Sequence, residues 1–80
     1  MNTYYLKKFR KEANKKLKLV QIKHNLYYVA KIYDDILFFP KSDDLPYDEA
    51  VKKLKEVRQE YISQKVYEKR LEKSKIIKNI

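Results

Sequence analysis

Between residues 3 and 16 the apolar positions fall at helical spacing, with Leu6, Phe9 and Ala13 in one stripe and Tyr5 and Leu17 at its margins. Asn2 or Thr3 is placed to cap the start by accepting a bond from an orphan N–H. Turning about 100° per residue brings Lys7, Lys8, Lys11 and Lys15 to the far side of the same cylinder. An apolar stripe backed by a cationic one predicts a surface helix docked on a core.

The period then falls to two. Val20 and Ile22 alternate with Leu17 and Leu19, and residues 26–33 are rich in Tyr, Val and Ile, which suit a pleated, half-buried surface. Ile36-Leu37-Phe38-Phe39 runs into Pro40, which cannot donate to a ladder. His24-Asn25 and Asp34-Asp35 mark the breaks, each short enough for a tight hairpin, and Asn and Asp tolerate left-handed backbone. A three-stranded antiparallel meander is expected.

A second helix begins at Pro46, whose fixed φ suits a first helical position, with Asp48 and Glu49 at its positive end. Tyr47, Ala50, Val51, Leu54, Val57, Tyr61 and Ile62 form a stripe roughly 140° wide, that of a core-facing helix. Asp48–Lys52 and Glu49–Lys53 are spaced to pair across its exposed side. Past Ile62 the same face meets Lys65 and Lys69, so the helix is expected to outrun the core. The expected organisation is a compact domain over residues 1–64 and a basic helical extension over 65–80. Ile76, Ile77 and Ile80 would find cover in a homodimer seam through that last helix. The fold class is α+β, in the order α-β-β-β-α.

Composition narrows the chemistry. The chain has 80 residues, enough for one small core. It contains no Cys, which excludes disulfides and thiolate metal sites, and no Gly, which excludes the loops that cradle a pyrophosphate. No enzyme signature survives, and no cofactor or metal is expected. No apolar run approaches the ~20 residues of a membrane span, and the N-terminus has no signal-peptide pattern. A cytoplasmic address is the expectation. The preference for Lys over Arg, 17 against 3, fits an AT-rich coding sequence of the kind found in many bacteria and their phages.

The charge has geography as well as size. Of a net +9, residues 1–16 contribute +5, residues 17–45 nothing and residues 46–80 the remaining +4. Both helices are cationic and the sheet is neutral. Lysines brought near phosphates release condensed counterions, so a polyanion is the natural partner. The expected function is therefore binding of nucleic acid or a nucleoprotein through Lys7, Lys8, Lys11 and Lys15 with Lys65, Lys69, Arg70 and Lys73. Scarce Arg removes the commonest bidentate contact to guanine, so little sequence preference is expected.

A second class of function rests on the aromatics. Tyr27, Val29, Tyr33 and Phe39 share one sheet face, and Tyr28, Ala30, Ile32 and Phe38 the other. One helix on each face would account for both. If instead both helices share a face, Tyr27, Tyr33 and Phe39, with Tyr67 and Leu71 on the last helix, offer a protein partner an apolar contact. A small phage-type inhibitor of a host factor or an assembly subunit would use such a surface. Asp34, Asp35, Asp43, Asp44 and Asp48 suit turns and a helix start better than a metal site, and His24 lacks a catalytic neighbour and reads as a turn residue.

In element order, residues 3–63 resemble double-stranded-RNA-binding domains. The Gly-containing Lys-Lys-x-Ala-Lys type segment of that family is replaced here by Pro46-Tyr47-Asp48-Glu49-Ala50, so no residue role carries over. The stretch from Tyr28-Val29-Ala30-Lys31-Ile32 to Tyr47-Asp48-Glu49-Ala50 is similar to the sheet-and-helix DNA-binding domains of plant AP2 factors and phage integrases. This chain lacks their Trp and Gly positions.

Overall fold

The computed structural model describes residues 3–34 and 36–78, with side chains described through Glu72. Asn2, Asp35 and Ile80, and the side chains of Lys73, Lys75, Ile76, Ile77 and Lys78, lie outside the described residues, and with them the expected dimer seam. The elements are α1 (Thr3–Lys16), β1 (Leu17–Lys23), β2 (Leu26–Tyr33), β3 (Leu37–Pro40) and α2 (Tyr47–Lys78). The chain is a small α+β domain with an open antiparallel sheet in the order β1-β2-β3. No helix among the described residues is long and apolar enough to cross a membrane.

Two left-handed residues close the hairpins: Asn25 has φ 54° and Asp34 has φ 51°. Without Gly, these short polar side chains are the least costly choice for that backbone region. The turn at Asn25 has a second use, since its Oδ1 accepts a bond from the Tyr47 N–H at 3.1 Å. A donor left orphaned at the start of α2 is thus satisfied from the hairpin tip. Pro46 sits one residue ahead of the helix, its carbonyl accepting from Ala50 N–H at 2.8 Å.

After Pro40 the chain continues along β2 in irregular form. Val29 N–H donates to Ser42 Oγ at 2.9 Å, and Tyr27 and Leu45 exchange two backbone bonds of 2.8 and 2.7 Å. Ser42 thereby supplies through its hydroxyl the acceptor that a longer β3 would have supplied through a carbonyl.

Helix α2 lies on one face of the sheet and α1 packs on α2 beyond the sheet's end, in place of the one-per-face arrangement. Register puts Leu17, Leu19, Tyr27, Val29, Lys31, Tyr33, Leu37 and Phe39 on one face. The first half of α2 covers the β1–β2 part of that face, leaving Tyr33, Leu37 and Phe39 exposed: the rings of Tyr27 and Tyr47 meet edge to face at 5.4 Å, and Lys31 Nζ lies 5.9 Å from the Tyr61 ring centre. Leu17, Val29 and Ala50 are buried. The opposite face carries Val20, Ile22, Tyr28, Ala30, Ile32 and Phe38: Ala30 is buried, Val20, Tyr28 and Ile32 are half-buried, and Ile22 and Phe38 are exposed, with Glu12, Lys15, Lys16 and Asp34 bordering a cleft near Ile32.

Helix α1 runs straight into β1 and folds back along the part of α2 that overhangs the sheet. Phe9 and Ala13 bury against Ile62, with Tyr5, Leu6, Tyr61 and Val66 around them. The packing therefore continues past the point where the apolar stripe ends. Val66 joins the cluster, and Lys69 lays its ammonium 5.0 Å from the Tyr5 ring centre. The physical reason is that α1 supplies a second docking surface once the sheet has run out.

Arg58 pins the junction of α1 and β1. Its Nε and Nη2 donate to the Leu17 carbonyl at 3.1 and 2.8 Å. Desolvation by burial lowers its pKa from the usual arginine value, and the guanidinium remains charged. A charged hydrogen bond of this kind contributes about 1.5–3 kcal/mol, and an ammonium lacks the planar fork that makes both bonds. Arg58→Leu is expected to lower the melting temperature by roughly 6–24 °C, read by circular dichroism. A shift within about 2 °C would show that the junction is held elsewhere.

The ion pairs add little. Lys53–Glu56 (3.8 Å), Lys65–Glu68 (3.8 Å) and Lys69–Glu72 (3.4 Å) are i,i+3 pairs on α2 with partly exposed side chains. Lys53 thus turns to Glu56 and away from Glu49.

Candidate functional site

The outward face of α1 is a block of positive charge. Lys7, Lys8, Lys11 and Lys15 are all exposed, and Arg10 is exposed beside them. Tyr4, Lys7, Lys8, Arg10 and Lys11 line an open concavity of about 450 Å³. Helical geometry explains the block, because burial of Phe9 and Ala13 against α2 forces the intervening lysines outward. The one acid of α1 is turned the other way: Glu12 Oε2 accepts from the Tyr61 hydroxyl at 3.1 Å. Among the described residues, no ion pair joins an acid to any of these four lysines or to Arg10.

The basic residues of α2 are placed differently. Lys69 faces α1, its ammonium 5.0 Å from the Tyr5 ring centre, while Lys65 lies over Tyr61 of its own helix at 5.6 Å. Arg70 is exposed and borders a shallow groove with Leu6, Ile62, Val66 and Tyr67. Lys73 lies on α2, with its side chain outside the described residues. The structure therefore gathers Lys7, Lys8 and Lys11 into one patch and sets Lys65 and Lys69 in the seam between the helices.

Two cations outside the set expected from sequence complete that seam. Lys16, from the end of α1, lies 5.7 Å from the Tyr61 ring centre, and Lys31, from β2, lies 5.9 Å from it. Both left a signal in the sequence. Lys16 falls on the Phe9 side of the helix, seven residues on, and Lys31 interrupts the inner face of β2 between Val29 and Tyr33. A charge on an apolar face marks a place where a side chain reaches to the rim.

The aromatic candidates do not form one surface. Tyr33 and Phe39, 43% and 47% exposed, meet edge to face at 5.2 Å at the sheet margin. Tyr27 is half-buried against Tyr47, while Tyr67 and Leu71 are exposed on α2. On the opposite face of the sheet Ile22 is 48% and Phe38 49% exposed.

His24 is exposed in the first hairpin, and Asp43 and Asp44 are exposed before α2. Among the described residues no three His, Cys, Asp or Glu side chains come together as metal ligands would. Comparison of the chain with family models, curated proteins and solved structures finds no match in any of the three.

Proposed function

We propose that this chain is a non-enzymatic nucleic-acid-binding protein that contacts the phosphate backbone through its helices with little sequence specificity. The observation that carries this reading is the outward face of α1: four exposed lysines and Arg10 on two to three turns, with no acid paired to them among the described residues. Such a face concentrates positive potential where an extended polyanion can lie along it. Lys65, Lys69, Arg70 and Lys73 extend the charge along α2. The partner is nucleic acid or a nucleoprotein, and the place of action is the cytoplasm. Two unrelated duplexes of equal length, titrated at low salt by fluorescence anisotropy, should bind within about threefold of each other. Absence of binding to either duplex and to a single strand of the same length would overturn the reading.

A second reading is favoured by the open sheet face. Val20, Ile22, Tyr28 and Phe38 leave apolar surface that a protein partner would cover, in the manner of a small phage-type inhibitor or an assembly subunit. Binding in that case would depend on apolar side chains and change little with salt.

A further inference from the structure

We infer that the seam between α1 and α2 is a track for single-stranded nucleic acid, with phosphates on Lys69, Lys65, Lys16 and Lys31 and an unpaired base on the Tyr33–Phe39 pair. This rests on the nucleic-acid reading above and assigns that reading a strand state and a path.

The row is continuous through ring contacts. Lys69 lies over Tyr5, then Lys65, one helical turn earlier, lies over Tyr61. Lys16 and Lys31 approach the same Tyr61 ring, and Lys31 Nζ also lies 5.1 Å from the centre of Tyr33. Tyr33 in turn packs against Phe39. The cations thus lead from the overhang of the two helices to an exposed aromatic pair at the margin of the sheet.

Three ammoniums gathered on one ring repel one another, and a phenol at an exposed site compensates weakly. The acids beside these cations are Glu12, engaged by the Tyr61 hydroxyl, and Asp34, which borders a cleft with Lys15 and Lys16 and makes no ion pair among the described residues. Lys16 and Lys31 have no ion pair among the described residues, and the pairs of Lys65 and Lys69 with Glu68 and Glu72 are partly exposed contacts that a phosphate can replace. An arriving phosphodiester therefore relieves a repulsion already built into the fold.

Strand state follows from the rings. In a duplex the base faces are covered by their neighbours, whereas an unpaired base can lie on the half-exposed rings of Tyr33 and Phe39. A single row of cations also matches one backbone, where a duplex presents two.

The test is fluorescence anisotropy with oligo-dT, oligo-U and a mixed-sequence duplex across a salt series. It compares the full-length protein with the variants Lys16→Gln/Lys31→Gln and Tyr33→Leu/Phe39→Leu. Removing two cations that each neutralise a single-strand phosphate should flatten the slope of log K against log salt by about 1.4. Removing the rings should weaken single-strand binding about fivefold or more, with duplex affinity changed less than twofold by loss of the rings. Thermal unfolding checks that each variant is folded, and Lys31→Gln and Phe39→Leu alone carry the same test at half the size. Preference for one of the two single strands, which differ in the 2′-hydroxyl and in the C5 methyl, supports the track. Unchanged single-strand affinity in the seam variants, or binding of duplex alone, overturns the track and leaves the nucleic-acid reading standing. Binding of neither single strand nor duplex overturns both.

Discussion

Phe9→Ala is expected to come close to unfolding the protein. The ring is buried in the one cluster that joins the two helices, against Ala13 and Ile62 and beneath Tyr5, Leu6, Tyr61 and Val66. Truncating a buried Phe to Ala costs about 3–5 kcal/mol through lost transfer energy and the cavity left behind. A domain of this length carries roughly 4–12 kcal/mol in total, so one side chain removes much of the margin. At about 4–8 °C per kcal/mol, the melting temperature should fall by at least about 12 °C. Phe38, half-exposed on the open sheet face, is the contrast, and its truncation should cost about 1 kcal/mol. Equal shifts in the two variants would contradict a core that lies on the helix side of the sheet.

The elements themselves were legible because each has one dominant period. Leu6, Phe9 and Ala13 specify a helix wherever it docks, and Asn25 and Asp34 mark turns because a chain without Gly has few other residues for positive φ. The side on which the helices dock was not legible. Val29 and Tyr33 on one face and Tyr28 and Ile32 on the other make both sheet faces apolar, so the pattern fits either arrangement. The end of the core was hidden for a different reason. Lys65 and Lys69 read as solvent-facing, yet each holds its ammonium over an aromatic ring, Lys65 over Tyr61 one turn back and Lys69 over Tyr5 of α1. The gathering of Lys16, Lys31 and Lys65 on Tyr61 draws on three separate elements, and local spacing carries no information about such a meeting. The outward lysines of α1 were legible for the opposite reason: their placement follows from the burial of their own neighbours.

Changing Lys7, Lys8, Lys11 and Lys15 together to Gln is expected to remove most duplex affinity while sparing the fold. All four are exposed, and Gln keeps much of the helix propensity of Lys. The slope of log K against log salt should flatten by about 0.9 for each phosphate no longer neutralised, or about 3–4 units for the set. The drop in affinity should be similar for unrelated sequences, because phosphate contacts position a protein without reading bases. Retention of a steep slope would move the interface away from α1. A wild-type slope already near zero would favour the open sheet face and a protein partner.

The central claim is that the helices, and not the open sheet face, meet nucleic acid. The most direct measurement is a map of backbone amide chemical shifts during titration with a mixed-sequence duplex at low salt. The largest changes should fall between Lys7 and Lys16 and between Lys65 and Arg70, with Val20, Ile22 and Phe38 almost still. Changes centred on Val20, Ile22, Tyr28 and Phe38, or no changes anywhere at saturating duplex, would contradict it.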